Sequence, residues 1–302
     1  MFPIRHVRPA VLGLACALLA ACHGGKAVRE SPAPVADSAP AVSQPAPDDT
    51  FNAVAWMQTS AEYAALTTQV YRNVCEALPA AVADPSQSAL IDGEQGGGFE
   101  SLPPAVIADI DETLLDNSAY AARRIASGGP FDPVAWKVWI DEAAARPMPG
   151  VQILLDCLAE QGVTLAYISN RNHEGERAAT VKNLRQEGFP LPPDNDDLVL
   201  LRGDPRGVDA DWSEKGARRR WVADRYRVVA LLGDNIGDFM NGIATSIEQR
   251  DAMVRDHADN WGTRWFVFPN PSYGSWEKAL LYGCDTAKTA PGRCRHQHLR
   301  AD

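Results

Sequence analysis

Apolar residues along this chain come in blocks whose period changes several times. Across residues 51–82, Trp56, Tyr63, Leu66, Val70, Val74 and Leu78 recur at helical spacing, which predicts one long helix, or two, packed on a core. Shorter apolar runs follow at 105–110, 163–168, 198–201, 228–232 and 265–268, each with the length and character of a buried strand. Helical stretches lie between them, at 151–161, at 174–187, and from near Ser213 past Trp221. Segment 117–149 interrupts the alternation and carries Phe131, Trp136 and Trp139 among charged residues. Strands alternating with helices predict an α/β fold: a doubly wound parallel sheet, preceded by a helical segment.

Polar clusters stand at the carboxyl ends of these strands, where open α/β sheets place their ligands. The first run closes on Asp109, Asp111 and Glu112 with Thr113 beside them. Later runs close on Ser169-Asn170-Arg171, on Gly233-Asp234-Asn235 and on Pro269-Asn270-Pro271. Two carboxylates ~4 Å apart repel by ~1 kcal/mol in water and ~4 kcal/mol at an effective dielectric of ~20. A divalent cation is the expected relief. A calcium loop of the EF-hand type does not fit, because its sixth position needs glycine and Leu114 stands there. The glycine-rich stretch 92–99 lacks a following Gly-Lys-Ser/Thr, so a flexible connection is expected there rather than a phosphate loop.

Composition narrows the partners. The 302 residues are 45% hydrophobic, enough for one good-sized domain or two small ones. A net charge of −10 argues against a nucleic-acid surface, which needs a basic patch. The one compact basic run, Arg218-Arg219-Arg220, is expected to cover an exposed helix face.

The amino terminus reads as an address. Arg5 and Arg8 precede an apolar stretch, 10–21, that is too short to span a bilayer comfortably. It ends Leu19-Ala20-Ala21-Cys22, which resembles the lipobox of bacterial lipoproteins. That resemblance implies cleavage before Cys22 and lipidation of its thiol, and His23 in the next position implies the outer membrane. An ordinary signal peptide that happens to hold a cysteine is the plainer alternative. Residues 22–50, rich in Ala, Pro and Ser, bury too little apolar surface to order themselves and form a tether. Losing residues 1–21 removes Arg5 and Arg8 and no acid, so the remaining chain is more acidic still and a membrane would be held by the lipid anchor. Outside the cytoplasm Cys284 and Cys294 can close a short C-terminal loop, while Cys157, on an apolar helical face, is expected to be a buried small hydrophobe.

Four of the clusters together resemble a known family. Asp109-Ile-Asp111-Glu-Thr113, Ser169 in YISNR, Lys215, and Gly233-Asp234-Asn235-Ile-Gly-Asp238 are similar to the four motifs of the haloacid dehalogenase superfamily of phosphohydrolases. The longer strings DIDETLLDNS, ISNR, GDNIGDF and PNPSYGSWE resemble the class C bacterial acid phosphatases, which include outer-membrane lipoprotein 5′-nucleotidases. The resemblance implies a phosphatase domain over 51–302, with 117–149 as a small cap over the site. It implies an aspartyl-phosphate on Asp109 and proton transfer by Asp111. It implies Mg²⁺ held by the Asp109 carboxylate, the Asp111 backbone carbonyl and Asp234, with Asp238 in support. Ser169, Asn170 and Lys215 would bind the phosphoryl group or the substrate. Asp111 would bind metal through its backbone so that its side chain stays free for protons, and Glu112 would point away from the cluster. Tyr120 and Tyr273 would stack on an aromatic leaving group, with Trp136 or Trp139 helping to close the site. Arg171 is either a substrate contact or a surface ion pair, and Thr113 a helper that fixes the turn. The partner implied is a small phosphomonoester, and a homodimer is compatible with the sequence. A lipoprotein that binds a nucleotide or cofactor without turnover, or a phosphotransferase, are the alternatives.

Overall fold

The computed structural model describes residues 48–192, 196–209 and 214–301. The expected signal peptide, Cys22 and nearly all of the tether lie outside the described residues, as does Ser213. Helices α1 (Phe51–Thr59) and α2 (Ala61–Ala83) lead into β1 (Pro104–Ala108), and β2 (Leu115–Asp116), α3 (Ser118–Ser127), α4 (Pro133–Glu142) and β3 (Arg146–Pro147) follow. Then come α5 (Val151–Gln161), β4 (Thr164–Asn172), α6 (His173–Gln186), β5 (Val199–Arg202), α7 (Gly216–Ala223) and β6 (Arg227–Gly233). The chain closes with α8 (Ile247–Asp256), β7 (Trp265–Val267), α9 (Ser275–Ala279) and α10 (Pro291–His296).

The choice between one leading helix and two is decided at Ser60. Its extended backbone breaks the helix, and its side chain accepts the Tyr63 N–H at 3.1 Å as an N-cap for α2. The main sheet runs β5-β4-β1-β6-β7, with every neighbouring pair parallel. Strand β1 is central, so the acids that follow it are flanked by the ends of β4 and β6. All seven residues of β6 are buried, as a strand covered on both faces requires. Alternation divides the core in two: Val106 and Ala108 pack with α2 and α5, whereas Ile107 packs with Ile168, Leu231 and Val222 of α7. Helices on both faces make the sheet doubly wound. Among the described residues, no helix is long and apolar enough to cross a membrane.

Three expectations change. Cys157 is not a lone buried thiol but is bonded to Cys75, tying α5 to α2 across a sequence separation of 82 with Cα atoms 5.9 Å apart. Helical spacing shows which face Cys157 occupies but not what lies opposite. Cys284 and Cys294 are also bonded. Segment 92–99 is more than a flexible connection, because Glu94 is buried and receives a two-pronged pairing from Arg219. The basic run is not an exposed face: Arg218 and Arg219 are about 1% and 0% exposed. Each is paired with a carboxylate, Asp209 for Arg218 and Glu94 for Arg219, which is what a buried guanidinium demands.

Candidate active site

Strand β1 stops at Ala108, and the chain leaves the sheet in a tight turn. The Asp109 N–H donates to the Leu232 carbonyl at 2.9 Å, and the N–H groups of Leu114 and Leu115 both donate to the Ile110 carbonyl. Glu112 takes a left-handed backbone with φ 55°, a conformation that costs a residue with a Cβ about 1 kcal/mol or more. Tyr71 of α2 donates its hydroxyl to the Thr113 carbonyl, so a core helix props the turn. Thr113 thus fixes the turn through its backbone; its Oγ1 is buried and finds no partner among the described residues.

Glu112 does not point away. Because the strand has ended, two-residue alternation no longer sets its direction. The side chain is buried, accepting the Asn117 N–H at 2.8 Å and the Tyr273 hydroxyl. Burial, and then the charge of Asp111, push its carboxyl up to about 8.

The turn after β6 supplies the opposing acids. Asp234 accepts from the Asn270 amide at 2.7 Å, and Asp238 accepts the Asn235 N–H at 2.9 Å. Gly233 is required here, since a Cβ would stand 2.1 Å from the Asp238 carboxylate. Carboxylate oxygens of Asp109, Asp234 and Asp238 all lie within 4.8 Å of one another. Burial pushes Asp109 up to about 7; Lys215 opposes the rise, while Asp238 and Asp111 add to it. Burial also lifts Asp234 well above the ordinary range, with Asp238 and Asp109 adding. Asp109, Asp234 and Asp238 thus converge three hard carboxylate oxygens, a donor set that fits a hard divalent cation.

Lys215, just before α7, reaches into this cluster. Its Nζ is 2.6 Å from Asp109 Oδ1, 2.6 Å from Asp238 Oδ1 and 2.9 Å from the Ile168 carbonyl. Burial works against the ammonium charge, but the two carboxylates outweigh it and raise the proton affinity.

The Asp111 side chain is not free. It accepts from Arg171 Nη2 at 2.7 Å and Nε at 3.0 Å, from Asn117 Nδ2 at 2.8 Å and from Ser169 Oγ at 3.1 Å. Arg171 is therefore not a surface ion pair but a buried partner of the first cluster. The Ser169 hydroxyl is fully buried and also accepts the Arg171 N–H, so it serves Asp111 rather than an open surface. Asn170 and Arg171 line the central cavity, and the Asn170 amide oxygen accepts from Arg218 at 2.8 Å.

That cavity, about 1090 Å³, is bounded by Asp109, Lys215 and Asp234 at the sheet edge and by aromatic side chains beyond. Tyr120 stands edge-on to Trp136 with ring centroids 4.9 Å apart, and Phe131 packs beside them. Tyr273 also lines the cavity; the residue is 42% exposed while its hydroxyl is tied down to Glu112. Trp136 faces the cavity, but Trp139 is core, donating its indole N–H to Asn117 at 2.8 Å. The sequence assigns no role in the site to Glu112, Asn117 or Asn270. The strings containing them carry the signal, but their roles depend on turns that pattern does not encode.

Residues 35–276 match the family model described as HAD superfamily, subfamily IIIB (acid phosphatase), and the chain belongs to that family. The class C acid phosphatase from Bacillus anthracis has a similar structure, with 32% identity, coverage of 84% of this chain and 97% of that one, and a TM-score of 0.69. The same enzyme with tungstate bound matches with a TM-score of 0.70, at the same identity and coverage. Acid phosphatase 1 of Solanum lycopersicum is 26% identical over 167 residues, 55% of this chain and 57% of that protein. The stem 28 kDa glycoprotein of Glycine max is 22% identical over 169 residues, 55% of this chain and 58% of that protein. The chain thus spans somewhat over half the length of these curated relatives. The fold is the HAD-like α/β fold of the class C acid phosphatases.

Proposed function

We propose that this protein is a Mg²⁺-dependent acid phosphomonoesterase acting on nucleoside monophosphates or similar aromatic phosphates. The observation that carries the reading is Asp109: a buried carboxylate at the central strand end, paired with Lys215 and crowded by Asp234 and Asp238 in the cavity. Family membership and the tungstate complex of the Bacillus anthracis relative support it, since tungstate is a tetrahedral oxyanion like phosphate.

Asp109 attacks phosphorus through a carboxylate oxygen, and the ester P–O bond breaks as an aspartyl-phosphate forms. Asp111, protonated from solvent as its carboxylate is released from Arg171, gives that proton to the departing alkoxide, then takes one from the water that hydrolyses the aspartyl-phosphate. An incoming phosphoryl group competes for the Arg171 guanidinium, and each bond it takes releases a lone pair of Asp111 for that proton. Lys215 stabilises the transferring oxygens electrostatically. Mg²⁺ held by Asp109, Asp234 and Asp238, with the Asp111 carbonyl, would neutralise charge on the phosphoryl group. Tyr120 and Tyr273 would hold the aromatic leaving group, and Asn170 would touch substrate from the β4 end.

The lipid anchor at Cys22, the outer-membrane location and the division into signal peptide, tether and capped phosphatase domain belong to the same proposal. Scavenging fits that location, because nucleosides cross membranes more readily than charged nucleotides. Phosphate release from AMP, with and without EDTA, tests the activity. No release with Mg²⁺ present, from AMP or from an aryl phosphate, would overturn it.

A further inference from the structure

Three cations come from the start of α7: Lys215 from the position before the helix, and Arg218 and Arg219 from its first turns. Lys215, Arg218 and Arg219 are spaced i, i+3 and i+4, so they emerge side by side. Lys215 joins Asp109 to Asp238. Arg218 and Arg219 hydrogen-bond to none of Asp109, Asp111 and Glu112, yet both are buried and both donate to backbone carbonyls, Arg218 at the end of β4 and Arg219 in the loop after β6.

Their targets differ. Arg218 donates from Nη1 to the Ser169 carbonyl at 2.7 Å and from Nη2 to the Asn170 side chain at 2.8 Å, anchored by Asp209 at 3.1 Å. Arg219 donates from Nη1 to the carbonyls of Gly237 and Asp238, both at 3.2 Å, and from Nη2 to Asn241 Oδ1 at 3.1 Å. Its other edge is clamped by Glu94, with Nε and Nη2 2.7 and 2.6 Å from the two carboxylate oxygens. Asn241 Oδ1 also accepts the Gly216 N–H at 3.1 Å, which ties the Asp238 loop to the start of α7. The approach is close: a Cβ on Gly216 would come within 2.5 Å of Asn241.

Burying an arginine–carboxylate pair adds little stability over an apolar pair of the same volume. A planar fork held on one edge and donating from the other is suited to setting the position of a loop. We propose that Arg219, clamped by Glu94, is a positioning residue for the Asp238 carboxylate and hence for cation affinity, and that Arg218 positions the β4 end at Ser169–Asn170, beside the cavity-lining Arg171, and hence oxyanion affinity. This division rests on the phosphatase reading for the meaning of the two segments, but both arms are binding measurements that need no turnover.

The experiment compares Arg218→Lys, Arg219→Lys and Glu94→Gln with the parent chain and with Arg220→Met, a change at an exposed helix position. Mg²⁺ affinity is read by calorimetry. Tungstate affinity is then read at saturating Mg²⁺, and folding is monitored by near-UV circular dichroism. Arg219→Lys and Glu94→Gln are expected to weaken Mg²⁺ binding about tenfold, with tungstate affinity held within about threefold. Arg218→Lys is expected to do the reverse, and Arg220→Met to move neither. Equal shifts of both affinities in the two arginine variants, or no shift in either, would overturn the division. Should Arg219→Lys fail to fold, Glu94→Gln decides its arm, because it keeps the shape of the clamp and removes only the charge. Loss of phosphatase activity in the parent chain with the split intact would overturn the catalytic reading alone.

Discussion

The Arg171 guanidinium lies along the Asp111 carboxylate, with Nη2 2.7 Å and Nε 3.0 Å from Oδ1. Arg171 is 2% exposed, so its charge is almost wholly removed from water and depends on an anion beside it. Arg171→Met should destabilise the protein by about 3 kcal/mol, the usual cost of removing one partner of a buried pair. Phosphate release should also fall at least ~10²-fold as the proton-transfer carboxylate loses its orientation. Arg171→Lys keeps the charge but not the fork, and should fall between. Urea midpoints and turnover check this; a variant unchanged in both would remove Arg171 from the mechanism.

Asp109→Asn should lower turnover by ~10³-fold or more, since an amide oxygen does not form the aspartyl-phosphate. The fold should survive. Removing one charge from three crowded acids should leave the melting temperature of the metal-free protein unchanged or raised at pH 8. Near-parent activity in this variant would exclude Asp109 as nucleophile.

Stability should depend on pH in a direction set by the burial of Glu112 and Asp109. Glu112 is pushed up to about 8 from an ordinary 4.5, and Asp109 up to about 7 from 3.8. Between those limits the native state holds protons that the unfolded chain releases, so stability falls as pH rises through the window. Each such group contributes up to ~1.4 kcal/mol per pH unit. The metal-free protein should therefore melt at a lower temperature at pH 8 than near pH 5. Added Mg²⁺ should restore more at pH 8, where it competes with fewer protons. Calorimetric scans at both pH values decide it; equal melting temperatures with and without Mg²⁺ would remove the cation from this cluster.

The Cys75–Cys157 bond closes a long loop, with a sequence separation of 82. Chain-entropy arguments give about 4 kcal/mol for a loop of that size. The double change Cys75→Ala with Cys157→Ala should lower unfolding stability by that order while leaving KM unchanged, because α2 and α5 meet away from the cavity. Denaturant titration and steady-state kinetics separate the two effects.

Tyr120 and Trp136 form an edge-on pair at the cavity wall. If they receive an aromatic leaving group, Trp136→Ala should cost ~1–3 kcal/mol in kcat/KM for AMP. A sugar phosphate, which offers no ring to stack, should be affected far less. An equal loss for both substrates would show that the aromatic wall does not select.

The strand–helix alternation and the acidic and serine clusters could be read directly from the chain, whereas Lys215 stood out only through the family resemblance. The alternation and the clusters depend on local apolar periodicity and on short strings of neighbouring residues. The family could be read too, because its motifs are runs of adjacent residues, and the α/β fold had already followed from the alternation.

The directions of Glu112, Asp111 and Arg171 could not be read that way. Glu112 turns inward because the backbone goes left-handed after β1 has ended, and Asp111 is bound because β4 delivers Arg171 beside it. Arg218 and Arg219 looked like a solvated basic run until Asp209 and Glu94 were folded against them. Charge and hydropathy belong to single residues, whereas burial of a charge depends on a partner brought from far along the chain. Only the tertiary structure supplies that partner.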